Sequence, residues 1–112
     1  MELEISVVEN IAHVKLRGRL DTAGVNQIET KFMDSLVPAG RTAVVDLSEL
    51  SFITSTGLRM FIEVKRALAR KGAKLVLYAP QAQVSDVFRT TSLGTIIPIV
   101  GNEAEAMAEI NA

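Results

Sequence analysis

The sequence contains no cysteine and no tryptophan, a single histidine, and only three prolines in 112 residues. Without cysteine the chain can form no disulfide, no zinc-thiolate site and no thiol nucleophile, and nothing in it points to an oxidising compartment. Charge of either sign is also missing in excess: 12 basic residues face 13 acidic ones, for a formal net charge of −1. Affinity for nucleic acid rests on neutralising phosphates, so neither DNA nor RNA is an expected direct partner. No apolar run approaches the ~20 residues needed to cross a bilayer, and membrane insertion is not expected. The opening Met1-Glu2-Leu3-Glu4-Ile5 carries acid where a signal peptide carries base and has no continuous apolar stretch, so a cytoplasmic location is expected. What the chain does have is 48% apolar residues. At this length folding buries roughly two thirds of the unfolded surface, enough for a single domain over residues 1–112 with its own core.

The apolar residues are patterned. Leu3, Ile5 and Val7 alternate with Glu2, Glu4 and Ser6, and Ala12, Val14, Leu16 and Gly18 alternate with Ile11, His13, Lys15 and Arg17. Period two predicts two half-buried strands, and Glu9-Asn10 between them predicts a tight hairpin. From Asp21 the period becomes helical, with Val25, Ile28, Phe32, Met33 and Leu36 on one face, until Pro38-Ala39-Gly40 ends it. Residues 42–47, rich in β-branched side chains, predict a strand covered on both faces, followed by a loop of small polar residues. A second helix is predicted from about residue 55 to about residue 71. Its apolar arc is Leu58, Phe61, Ile62, Val64, Leu68 and Ala69, its opposite face Arg59, Glu63, Arg66 and Arg70, and its terminal cap Gly72. Beyond it, a strand over 73–79 and a short helix through Val84, Val87 and Phe88 are predicted. A last strand follows over 95–100, where Pro98, lacking a donor, marks a sheet edge or bulge. Asn102 with Glu105 predicts the start of a final helix docked by Ala106, Met107 and Ile110. The order β-β-α-β-α-β-α-β-α predicts an α/β fold: a mixed sheet, opened by an antiparallel hairpin and layered with four helices.

Ordinary catalytic constellations are not found. His13 has no serine nucleophile or carboxylate at a defined spacing, and reads as a surface histidine on a strand. Gly18-Arg19-Leu20-Asp21-Thr22-Ala23-Gly24 holds two glycines but no Lys-Ser/Thr pair after them, so it is not a phosphate loop. Asp21, Asp34, Asp46, Glu49 and Asp86 match no calcium-loop spacing. No catalytic residue, metal or cofactor is expected, and the chain does not read as an enzyme.

The informative stretch is Val45-Asp46-Leu47-Ser48-Glu49-Leu50-Ser51-Phe52-Ile53-Thr54-Ser55-Thr56-Gly57-Leu58, where a strand gives way to three successive hydroxyl residues at a helix start. Two readings compete. The hydroxyls can cap the first turn, a role worth about 0.5–2 kcal/mol. Alternatively, one of them can accept a phosphoryl group, because free N–H groups and the helix dipole favour the new negative charge. Gly57 would then allow a kinase or partner surface to approach the backbone closely.

This stretch resembles the signature of STAS domains, the fold of bacterial anti-sigma-factor antagonists, in which a strand leads into an Asp-Ser-Ser/Thr-Gly-Leu loop at a helix start. Gly18-Arg19-Leu20-Asp21 resembles the family's Gly-x-Leu/Ile-Asp element, and Thr91-Ser92-Leu93-Gly94 with Ile96-Ile97-Pro98-Ile99 resembles its ending. Here Thr54 stands where the family usually has aspartate, and Thr56 where serine is commoner. The resemblance implies a partner switch. The unphosphorylated domain binds an anti-sigma factor that is also a serine/threonine protein kinase, phosphorylation breaks the complex, and a phosphatase restores it. It implies phosphorylation at Thr56, with Ser55 beside it as the second candidate phosphoacceptor and Asp21 nearby. The expected partner-binding residues are Asp21, Thr54, Ser55, Thr56, Gly57, Arg59, Glu63 and Arg66. A different role is also implied by similarity to small STAS subunits of phospholipid-transporting ABC systems, which dock on the ATPase subunit.

Overall fold

Five strands and four helices follow the predicted order in the computed structural model, which describes residues 1–112. β1 (Glu2–Val8) and β2 (Ile11–Leu20) pair antiparallel across Glu9 and Asn10, both with positive φ, as a two-residue hairpin of matching twist requires. The chain continues through α1 (Thr22–Leu36), β3 (Thr42–Ile53), α2 (Ser55–Ala69), β4 (Leu75–Tyr78), α3 (Ala82–Thr90), β5 (Ile99–Val100) and α4 (Glu103–Ile110). The sheet order is β1-β2-β3-β4-β5, and every pair after the hairpin is parallel.

Strand alternation divides the core between two faces. Ala12, Val14 and Leu16 of β2, Ala43, Val45 and Leu47 of β3, and Leu75 and Leu77 of β4 form one buried cluster with α1, α2 and α3. Val44, Val76 and Tyr78 point the other way and meet Ala106 of α4, with Met107 and Ile110 packed alongside. Phe32 of α1 and Phe61 of α2 meet edge to face at 6.2 Å, tying the two helices together. On the half of the second face that α4 leaves open, β1 to β3 carry an ion-pair cluster in which Arg17 meets Glu4 and Glu49, and Lys15 meets Glu49.

Four expectations are corrected. β3 runs to Ile53, through the segment read as a polar loop. Its partner β2 also continues, to Leu20, but the register shifts between Lys15 and Arg17 and again between Gly18 and Arg19. Those irregularities space the buried residues three apart, at Leu47, Leu50 and Ile53, and so erase the alternation that marks a strand. β4 is shorter than read at both ends: Ala73 N–H closes the turn after α2 on the Leu68 carbonyl at 2.9 Å, and Ala79 turns to positive φ. β5 has only two residues: Leu93–Thr95 forms a single 3₁₀ turn, and the ladder can start only after Pro98, whose carbonyl accepts from Leu77 N–H at 3.0 Å. In α2, Ala69, placed on the apolar arc, is exposed, and Met60, left out of it, is buried.

Candidate functional site

The hydroxyl triplet lies where two helices begin. β2 ends at Leu20 and β3 at Ile53; α1 starts from the first and α2 from the second. The strands are still joined at this end, with Thr54 N–H donating to the Leu20 carbonyl at 3.1 Å, so the two helix N-termini emerge side by side.

Each residue at this junction has a definite task. Asp21 is the N-cap of α1, its Oδ1 accepting from Gly24 N–H at 2.8 Å. Its Oδ2 lies 3.6 Å from Nε of Arg19, whose guanidinium stacks 4.1 Å from the centre of the exposed Phe52 ring. Thr54 is the N-cap of α2 by position but makes no side-chain cap bond; its hydroxyl donates to the Leu20 carbonyl instead. The capping reading of the triplet therefore fails at the residue placed to do it. Ser55 is exposed, and its hydroxyl has no hydrogen-bond partner in the chain. Thr56 is half-buried, and its Oγ1 lies 3.1 Å from Oγ1 of Thr22 across the gap between the helices. Neither helix has an acidic residue in its first turn.

Two glycines make this geometry possible. A Cβ at Gly24 would sit 2.2 Å from the Arg19 carbonyl oxygen, and one at Gly57 would sit 2.9 Å from Leu20 O, Leu20 Cγ and Ile53 Cγ1. The close approach that Gly57 permits is thus internal. Gly57 is buried against β2 and β3, which corrects the expectation that it serves an incoming protein. Arg59, Glu63 and Arg66 are exposed on α2 and belong to none of the ion pairs in the chain. From Thr56 to Arg66 the helix rises roughly 15 Å, a span that an ordinary protein interface covers. Asp21, Ser55, Thr56, Arg59, Glu63 and Arg66 thus share one end and one flank of the molecule. The triplet and α2 flank were legible as a string; Thr22, Arg19, Phe52 and Gly24 were not singled out.

The Gly24 amide, and secondarily the Arg19 guanidinium, hold the Asp21 carboxyl below its ordinary value of 3.8 against an opposing desolvation. A carboxylate with a lowered folded-state pKa contributes stability that is complete above the ordinary value and lost as pH falls through the lowered one. Asp21→Asn keeps a capping side chain but cannot titrate. Urea unfolding should therefore favour the wild type at about pH 6, with the advantage shrinking as pH falls below about 4. A pH-independent difference would contradict the assignment.

Elsewhere, His13 makes no side-chain hydrogen bond and lines an open cleft with Lys15, Asp46, Tyr78 and Glu103 on the α4 side of the sheet. Burial, with Asp46 and Glu103 nearby, pushes the Tyr78 phenol up to about 12. No three acidic or histidine side chains cluster closely enough to hold a metal ion, and no helix is long and apolar enough to cross a membrane.

This arrangement of mixed sheet and paired helix starts is the STAS domain, and residues 2–106 match the model of that family; the chain belongs to it. It is 30% identical over 108 residues to BtrV of Bordetella bronchiseptica, a candidate anti-sigma factor antagonist by name, covering 96% of this chain and 92% of that protein. It is 27% identical to the anti-sigma-B factor antagonist of Listeria monocytogenes, covering 94% of this chain and 95% of the relative. Among solved structures, the Bacillus anti-sigma factor antagonist SpoIIAA superposes in its unphosphorylated form with a TM-score of 0.79, at 23% identity over 98% of this chain and 96% of that one. Its phosphorylated form superposes with a TM-score of 0.72, at 24% identity over 97% and 99%. The relatives are named as regulators, not as enzymes.

Proposed function

We propose that this chain is an anti-sigma-factor antagonist that docks reversibly on a kinase-type anti-sigma factor, with Thr56 as the residue whose phosphorylation ends the complex. The observation that carries the reading is the position of the Thr56 hydroxyl, at an open junction of two helix N-termini. The names of the relatives support the same role. In the unmodified chain, Asp21, Ser55 and Thr56 with the Arg59, Glu63 and Arg66 flank form the docking face. Thr54 supports it from beneath. The two unpaired arginines suit an acidic stretch on the partner.

The switch is electrostatic. A kinase adds about −1.5 to −2 charges at Thr56. In the free domain the unpaired first-turn N–H groups of α1 and α2 and their dipoles tolerate that charge. In the complex the same group has to shed its water against the partner's acidic stretch, and docking fails without any rearrangement of the fold. A phosphatase that removes the group restores binding.

The test is incubation with histidine-kinase-type anti-sigma factors and ATP, followed by intact-mass measurement and site mapping. A stable complex without ATP, and one phosphoryl group at Thr56 with it, are the expected results. Recovery instead of a transporter ATPase subunit, with no kinase-type anti-sigma factor binding, would overturn the proposal in favour of the transport role.

A further inference from the structure

We propose that Thr22 positions the Thr56 hydroxyl for phosphoryl transfer and then donates a hydrogen bond to the phosphate; this deepens the phosphoacceptor reading above and rests on it. The triplet offers a kinase three hydroxyls in a row, and the structure treats them differently. Thr54 Oγ1 is engaged with the Leu20 carbonyl. Ser55 Oγ has no partner, so it is free to move among the staggered rotamers of an exposed serine. Thr56 alone of the three is held by another side chain, that of Thr22 at 3.1 Å. Being β-branched, Thr56 already has a restricted χ1, and one hydrogen bond is enough to favour a single orientation of its oxygen.

Thr22 is free to do this. As the first residue of α1 it could have been needed to satisfy that helix start, but Asp21 already accepts from Gly24 N–H. Thr22 is exposed, and its hydroxyl has no other partner. With Thr22 as donor, the proton of Thr56 stays available to the kinase. In the transfer, Thr56 Oγ1 bonds to the γ-phosphorus of ATP and the bond from that phosphorus to the β,γ-bridging oxygen breaks. ADP leaves, and the Thr56 proton passes to the kinase's base. The Thr22 hydroxyl, with the first-turn amides of α1 behind it, then lies within reach of the phosphate oxygens.

Two variants separate this role from a structural one: Thr22→Val removes the hydroxyl at nearly constant shape, and Thr22→Ser keeps it. In the first experiment phosphothreonine is installed at position 56 during translation, so that no kinase is required, and ³¹P NMR is recorded. The resonance of the wild type and of Thr22→Ser should be displaced from its unfolded-chain position, and that of Thr22→Val should move towards it. In the second, the kinase-type anti-sigma factor and ATP are supplied. Thr22→Val should slow phosphorylation at Thr56 by about three- to tenfold, the effect of one neutral hydrogen bond, while Ser55 is unaffected and Thr22→Ser restores the rate. Melting temperatures of the unmodified proteins should agree, as befits an exposed side chain. An unchanged ³¹P resonance in Thr22→Val refutes the role of Thr22 whatever the kinase does. Failure of any such kinase to modify the wild type refutes the phosphoacceptor reading instead.

Discussion

A chain carrying phosphothreonine at position 56 is expected to bind its anti-sigma factor about 100- to 1,000-fold more weakly than the unmodified chain, corresponding to roughly 3–4 kcal/mol of lost binding. The size follows from what must happen to the charge. Free in solution, the phosphate keeps its water and gains the N–H groups of two helix starts. In the complex it must lose that water, and any carboxylate of the partner's acidic stretch then faces it. Truncating one member of a buried charge pair at an interface costs 2–5 kcal/mol, and introducing an unmatched charge falls in the same range. Thr56→Ala should bind within about tenfold of the wild type, because it removes one hydroxyl and adds no charge. Thr56→Glu, with a single charge, should fall between the two. Titration calorimetry on the three proteins and the phosphorylated chain decides the matter. Equal affinities would mean that charge at this position is irrelevant to docking.

Gly24→Ala is expected to destabilise the fold by about 3 kcal/mol, lowering the melting temperature by roughly 10–20 °C. A methyl there would lie 2.2 Å from the Arg19 carbonyl oxygen, and both sides of that contact are backbone. Nothing flexible can yield, so α1 would have to draw away from the end of β2, and the Thr22–Thr56 pair would open with it. Gly57→Ala should cost less: its contacts are at 2.9 Å, and two of the three are with side-chain atoms of Leu20 and Ile53. Gly94 is the control, since a Cβ there meets nothing within 4 Å and its φ is not positive. Urea denaturation of the three alanine variants should rank them Gly24, Gly57, Gly94 in order of loss. A Gly24→Ala protein as stable as Gly94→Ala would show that the helix start is not clamped by this contact.

These two predictions draw on different kinds of information. The importance of the Thr54-Ser55-Thr56 triplet was legible as a string, because hydroxyl residues at a helix start have few physical roles. That Gly24 is a structural constraint was not, because the atom it must avoid belongs to a strand end whose path depends on its pairing with the bulges in β3. Those bulges also hid the second half of β3. Leu50 and Ile53 are buried, but at a spacing that no period-two reading detects. Met60 is a different case: at i−4 from Val64 and i−8 from Leu68 it lies on the ordinary apolar stripe of α2, where helical spacing alone places it in the core.

Local periodicity, turn residues and capping signals by themselves determined the order of strands and helices, the hairpin at Glu9-Asn10, the edge position marked by Pro98 and the segment that carries the hydroxyls. These are short-range effects, written in neighbouring residues. Tertiary structure alone decided which hydroxyl is held and which is free, since Thr22 and Thr56 are 34 residues apart and meet only because parallel strands bring two helix starts together. It also decided that Gly57 serves the interior of the protein and not a visitor. Contacts between distant segments depend on register and close approach, and no window of sequence contains both partners.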